Sequence, residues 1–311
     1  VPYFGICIID DRTVPVSILC DWANLALKTV KGNNLKSYAF YDDQLRAKQL
    51  DERNIENQME QALSAGQFTI FLQPKHDIRT SRIVGAEALA RWLHPKEGLI
   101  TPDRFIPLFE HNGFILRLDE YIWEQVCILL RKWIDNGYAP VPLSVNVSRL
   151  HLYNADLCEI LRRLAQKYDL PRELLELELT ESTFVEYPDE LYRMMGQLQK
   201  DGFRFSIDDF GSGYSSLNML KNTRADIIKL DRGFLSETTA TPKGKTVIQN
   251  TINMVKQLDL DVVTEGVETK KQADFLLHSG CNTAQGFYFS MPMPVEQFET
   301  LAFPGKSRRC K

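Results

Sequence analysis

The feature that most constrains this chain is an alternation of two periodicities between residues 67 and 303. Eight strand-like runs occur in order: FTIFLQP, IVGAEALARW, PLSVNVS, LLELELTES, RFSIDDFG, ADIIKLD, DVVTEGVE and AQGFYFS. Segments with apolar residues at helical spacing separate most of them, over 102–112, 115–136, 154–168, 189–201, 214–221, 243–259, 269–279 and 294–302. Eight strands with intervening helices predict a (βα)8 barrel, with a doubly wound open sheet as the structural alternative. One connection departs from the rule, because only KHDIRTSR lies between the first two strands. A parallel crossover needs about a dozen residues or more, so the first strand is expected to pair antiparallel with the second.

The polar residues within these runs are not scattered. They sit toward the C-terminal ends: Glu87 and Arg91, then Asn146, Glu178 and Glu181, Asp208 and Asp209, Lys229 and Asp231, Glu265 and Glu268, and Gln285. In a barrel these ends converge on one mouth, where the fold places its chemistry. So many carboxylates in one mouth stay ionised only if cations neutralise them; otherwise some protonate. The donors are hard oxygens with one amide and no thiolate or imidazole, a set that suits Mg2+ or Mn2+ better than zinc. Adjacent Asp208 and Asp209 suggest two ions, the usual clamp for in-line attack on a phosphodiester, with Lys229 and Glu265 placed to orient or deprotonate the attacking water.

Each residue also has a plainer role open to it. Glu181 and Glu268, latest in their segments, suit helix caps or solvated loop groups. Arg91 can pair with a nearby acid, and Lys229 can serve as a structural counter-ion for Glu176 or Glu178. Gly211 and Gly213 mark a flexible turn and not a phosphate cradle, since no Walker pattern is present. It is the recurrence at seven strand ends that argues for a site.

Taken together, EALARW at 87–92, LQP at 72–74, NVS at 146–148, ELTES at 178–182, DDFGSGYSSL at 208–217, KLD at 229–231, EGVET at 265–269 and QGFYFS at 285–290 resemble the motifs of EAL domains, in order, from about residue 50 to 303. The resemblance implies a modified TIM barrel that hydrolyses cyclic di-GMP to linear pGpG with Mg2+ or Mn2+. By position, Glu87, Asn146, Glu178 and Asp208 would hold the first metal, and Asp208 and Asp209 the second. Glu265 would activate water beside Lys229. Gln73, Arg91, Glu268 and Gln285 would line the substrate pocket. Glu181 would anchor a regulatory loop containing Phe210, Gly211, Ser212, Gly213 and Tyr214, which in the family links the site to a dimer interface. Every motif residue is retained, so catalysis is expected, with a catalytically silent cyclic di-GMP receptor as the alternative. Met291 stands where a lysine is frequent, which points to at most an altered substrate fit. Ca2+ is expected to inhibit, because it accepts looser and longer coordination than Mg2+.

Residues 1–43 carry a different pattern. YFGICIID and LKSYAFYDD are strand-like, and SILCDWANLALKTVKG is helical and closes on Gly32. The stretch is too small to hold a core alone. ANLALKTVKGNN resembles the last helix and turn of a GGDEF, or diguanylate cyclase, domain. The expected organisation is a C-terminal remnant of a GGDEF-like domain over 1–43, a connecting helix over 44–66, the EAL barrel over 67–303 and a tail over 304–311. Within the connector, Leu45, Leu50, Ile55, Met59 and Leu63 form a sparse helical stripe that Gly66 can end.

Composition narrows the remaining classes. The net charge is -4, so the chain as a whole lacks the polycationic character of a nucleic-acid polymer or anionic membrane binder. The six cysteines form no CxxC and the five histidines no HExxH, which speaks against a disulfide frame and a histidine-zinc site and for a reducing, cytoplasmic setting. No run approaches the ~18 apolar residues of a membrane span, so no membrane contact is expected of this segment. The chain opens mid-pattern and is expected to be part of a longer protein, with a membrane anchor elsewhere in the parent as an option, and to act as a homodimer.

Overall fold

The computed structural model describes residues 2–31, 36–153, 156–186, 188–211, 217–239 and 241–304. The chain forms two compact units, one from residues 1–65 with 103–109, the other from 66–102 and from 110 onward.

In the first unit, strands β1 (Phe4–Ile6) and β2 (Tyr38–Phe40) pair in parallel, with helix α1 (Val16–Val30) between them in sequence. Gly5 is required by packing: a Cβ there would lie 1.8 Å from the Ala23 carbonyl oxygen of α1. Helix α2 (Asp43–Ser64) starts where the Asp42 carboxylate accepts the Leu45 N–H at 2.8 Å, and Gly66 turns left-handed just past its end. Its expected stripe is corrected at one position. Ile55 is buried, as is Ala62 two turns on, but Leu50 is 51 % exposed. A helix this polar hides only a narrow line of side chains.

The second unit continues with strands β3 (Phe68–Asp77), β4 (Ile83–His94) and β5 (Gly98–Ile100), then helices α3 (Pro102–Asn112, whose centre belongs to the first unit) and α4 (Ile115–Asp135). Next come β6 (Leu143–Asn146), α5 (Leu157–Lys167), β7 (Leu175–Thr180), α6 (Glu181–Glu186), α7 (Pro188–Lys200), β8 (Arg204–Phe210) and α8 (Leu217–Asn222). They are followed by β9 (Ile227–Leu230), α9 (Arg232–Thr239), α10 (Pro242–Gln257), β10 (Asp261–Thr264), α11 (Lys270–His278), β11 (Thr283–Ala284), β12 (Met293–Pro294) and α12 (Val295–Ala302).

The strands close in the order β3-β4-β6-β7-β8-β9-β10-β11 and back to β3, a barrel and not an open sheet. Strand β3 runs antiparallel to both neighbours, and the other contacts in the ring are parallel. The register sets Gln73 opposite Glu87 and Lys75 opposite Gly85. Outside the ring, α4 buries Trp123, Val126, Leu130 and Trp133 along one face, and Trp133 stacks on Phe298 of α12 at 5.6 Å. Barrels of this kind usually fill their interior with branched apolar side chains. Here the interior carries Lys75, Glu87, Glu176, Glu178, Asp208 and Lys229, all buried.

Two expectations about element limits are corrected. The eighth strand ends after two residues, and the chain from Gln285 turns closely over Val267. A Cβ on Gly286 would stand 2.3 Å from the Val267 backbone, so a regular strand cannot continue there. Glu181 opens helix α6 where a strand end was expected, and α9 follows β9 without a periodicity that announces it.

Candidate active site

Lys229 organises the mouth. Its side chain is 0 % exposed, and its ammonium lies 2.7 Å from Glu178 Oε2, 2.7 Å from Glu265 Oε1, 3.1 Å from Asp208 Oδ1 and 3.5 Å from Glu87 Oε2. The contact to Glu265 is a close, buried ion pair. The counter-ion role and the site role of Lys229 therefore coincide at Glu178. Glu176 is not its partner, and goes to Lys75 at 2.9 Å.

Adjacent strand residues ordinarily point to opposite faces, which makes paired aspartates a poor way to build one site. Strand β8 avoids this. Its register with β9 breaks between Ile207 and Phe210, and Asp209 takes φ of +56°. Aspartate is one of the few L-residues that visits this region readily. The bulge turns both carboxylates the same way: ligand atoms of Asp208, Asp209 and Glu265 lie within 4.8 Å of one another, as do those of Glu87, Glu178 and Asp208.

The amides tie these groups together. Asn146 Nδ2 donates to Glu87 Oε1 at 3.2 Å, and the Asn146 carbonyl accepts the Trp123 indole N–H at 3.0 Å. Gln285 Nε2 donates to Glu87 Oε2 at 2.7 Å and to Gln73 Oε1 at 3.0 Å. Gln285 Oε1 is buried without a hydrogen-bond partner. That orphaned oxygen, beside two clusters of carboxylate oxygens, fits hard divalent cations.

Charge crowding shows in the proton affinities. Burial, reinforced by Asp208 and Glu87 and opposed by Lys229, pushes the Glu265 carboxyl up to about 8. Burial also raises Glu87, Asp208 and Asp209, each with help from neighbouring acids. Glu178 goes the other way: burial would raise it, but Lys229 and Lys75 hold it at about 2.

The remaining predicted residues lie around this centre. Glu181 is buried and its Oε2 accepts the Gly211 N–H at 3.0 Å, holding the start of the loop after β8. Phe210 is buried, and Gly211 has φ of +97° with the Phe234 ring where a Cβ would go. Ser212, Gly213 and Tyr214 lie outside the described residues. Arg91 sits 5.5 Å over the Phe71 ring. Glu268 is exposed, pairs with Arg232 at 2.8 Å, and lines with Gln73, Glu265 and Gln285 a cavity of 170 Å³. Asp231 takes the plainer role, accepting the Gly233 N–H at 2.7 Å at the head of α9. Sequence reasoning missed Lys75 and Arg232. Periodicity gave no signal for Lys75, which falls out of phase with the buried set Phe68, Ile70, Leu72 and Pro74.

Residues 56–292 match the EAL domain family. The chain is 36 % identical over 275 residues to the bifunctional diguanylate cyclase/cyclic di-GMP phosphodiesterase MucR of Pseudomonas aeruginosa, covering 88 % of this chain and 40 % of that protein. It is 35 % identical over 277 residues to the cyclic di-GMP phosphodiesterase NbdA of the same organism, covering 89 % and 35 %. The chain thus spans less than half the length of these curated relatives. Among solved structures, the PaMucR phosphodiesterase in complex with c-di-GMP superposes with a TM-score of 0.75 at 38 % identity, covering 79 % of this chain and 99 % of that one. The EAL enzyme Bd1971 bound to cAMP and cyclic di-GMP gives a TM-score of 0.76 at 28 % identity, covering 94 % and 77 %.

Proposed function

Since this chain belongs to the EAL domain family, we propose that it is a metal-dependent phosphodiesterase that opens cyclic di-GMP to linear pGpG. The observation that carries the proposal is the convergence of Glu87, Glu178, Asp208 and Glu265 on one buried ammonium, with Asp209 turned in beside them by the bulge. Glu87, Asn146, Glu178 and Asp208 would hold one Mg2+ or Mn2+, and Asp208 with Asp209 the second. Bound there, the ions would neutralise phosphate charge and lower the pKa of water.

The chain's own groups do the rest. Glu265 accepts the proton of the attacking water, and its raised proton affinity suits it to hold that proton near neutral pH. Lys229 fixes Glu265 and Asp208 against each other and offsets their charge. Gln285 bridges Gln73 to Glu87, so the pocket wall and the ligand cluster share one rigid amide. Gln73, Arg91, Glu268 and Gln285 contact the dinucleotide. Glu181, through Gly211, couples the loop after β8 to the site. On this reading residues 1–43 would belong to the C-terminal part of a GGDEF-like domain, α2 would be the connector, and the protein would work as a cytoplasmic homodimer. Among the described residues no helix is long and apolar enough to cross a membrane.

The test is direct. The purified chain is incubated with cyclic di-GMP and Mg2+ or Mn2+ and the nucleotides are separated by chromatography. Metal-dependent pGpG is expected, with turnover abolished in Glu87→Ala and Asp208→Ala and by Ca2+ in place of Mg2+. Near-normal hydrolysis in either variant would sink the ligand assignment. Binding without product would indicate a silent receptor.

A further inference from the structure

We propose that Lys75 is a positioning residue for the Glu178 carboxylate, acting on it from the floor of the barrel. The inference rests on the metal assignment made above. Strand β3 runs against the other strands, so it descends from mouth to floor: Gln73 lies level with Glu87, and Lys75 lies opposite Gly85 one layer lower. From there Lys75, a residue only 5 % exposed, donates through its ammonium to Glu178 Oε1 at 3.0 Å and to Glu176 Oε1 at 2.9 Å. The other oxygen of Glu178, Oε2, receives Lys229 at 2.7 Å.

Glu178 is therefore gripped by two ammonium groups from opposite ends of the barrel axis, one on each oxygen. A carboxylate held at one oxygen can rotate and exchange the two. Held at both, it keeps Oε2 on the side of Lys229, Asp208 and Glu87. Without Lys75, Oε1 would be a buried acceptor lacking that partner, and Glu178 would be drawn toward whatever cation is nearest.

The floor is also accessible. A cavity of 280 Å³ is lined by Lys75, Glu176, Arg204, Lys256 and Asp261, and the last two are solvent-exposed. A small amine can enter there and stand in for a deleted lysine side chain.

The experiment measures Mn2+ binding without substrate, by electron paramagnetic resonance, alongside steady-state hydrolysis. Lys75→Met alone leaves Glu176 buried without its cation and risks misfolding. The informative variant is thus Lys75→Ala combined with Glu176→Gln, checked for folding by circular dichroism, with Glu176→Gln alone as control. The double variant is expected to bind Mn2+ about 10–100-fold more weakly and to lose kcat with KM little changed. Ethylammonium should restore part of the Mn2+ affinity, and tetramethylammonium, which has no N–H to donate, should not. The inference is overturned if the double variant binds Mn2+ as the unaltered chain does, or if Glu176→Gln alone reproduces the whole loss. Failure of the unaltered chain to bind Mn2+ would instead overturn the metal assignment, and this inference with it.

Discussion

Asp209 shows how much one backbone angle decides. At φ of +56° a β-branched residue is strained, while glycine relaxes. Asp209→Val is expected to cost about 1–2 kcal/mol in denaturant unfolding, where Asp209→Gly costs nothing or stabilises. Equal stability of the two variants would argue against the left-handed backbone. The acids around Asp209 predict a second effect. In chelator, Glu265 holds its proton up to about pH 8 in the folded chain but releases it near 4.5 when unfolded. Across that window the folded state binds more protons, so stability falls as pH rises. Glu87, Asp208 and Asp209 are raised and act in the same direction. Glu178, held at about 2, contributes stability that is present above 4.5 and lost only as pH falls toward 2. The Tm in EDTA is expected to drop from pH 5 to pH 8, and Mn2+ to restore most of it at pH 8. A flat or rising Tm in EDTA would contradict the crowding.

At the level of elements, caps and close approaches set the limits. Thr241 accepts the Gly244 N–H at 3.1 Å to start α10, so Thr241→Ala should lower unfolding free energy by about 1 kcal/mol while turnover holds. A loss of turnover without a loss of stability would mean that α10 has a role beyond scaffolding. Gly286→Ala should do far more harm, since its Cβ would press on the Val267 backbone and displace Gln285. The barrel itself was legible in the sequence. Periodicity marked the eight strands, and the eight-residue KHDIRTSR link fixed the antiparallel pair. What stayed hidden depends on contacts across the ring. FYFS reads as a strand by composition, yet the chain must bend at Gly286 to clear Val267. LLELELTES reads as one strand, yet the strand stops at Thr180 and Glu181 turns inward to the Gly211 amide. The carboxylates at the mouth were readable because strand ends converge in any barrel. Lys75 was not, because its role depends on β3 reaching the floor where Glu176 and Glu178 await.

For the whole molecule, the interior is an electrostatic problem before it is a packing one. Two buried lysines face five carboxylates, those of Glu87, Glu176, Glu178, Asp208 and Glu265, inside a single ring of strands. Coupling between protomers is expected to appear as specific activity that rises with protein concentration and saturates. A rate per chain that stays constant through the dissociation range would remove the dimer from the mechanism. The bulge in β8 bears on how this protein can change over evolutionary time. Its backbone accepts Gly, Asn or Asp at position 209, but the proposed second cation would need the carboxylate. Under the proposed function, the fold would therefore lie one tolerated substitution from a descendant that keeps its shape and its nucleotide and no longer consumes it, and the passage from enzyme to reader of the signal would be short and meet little structural resistance.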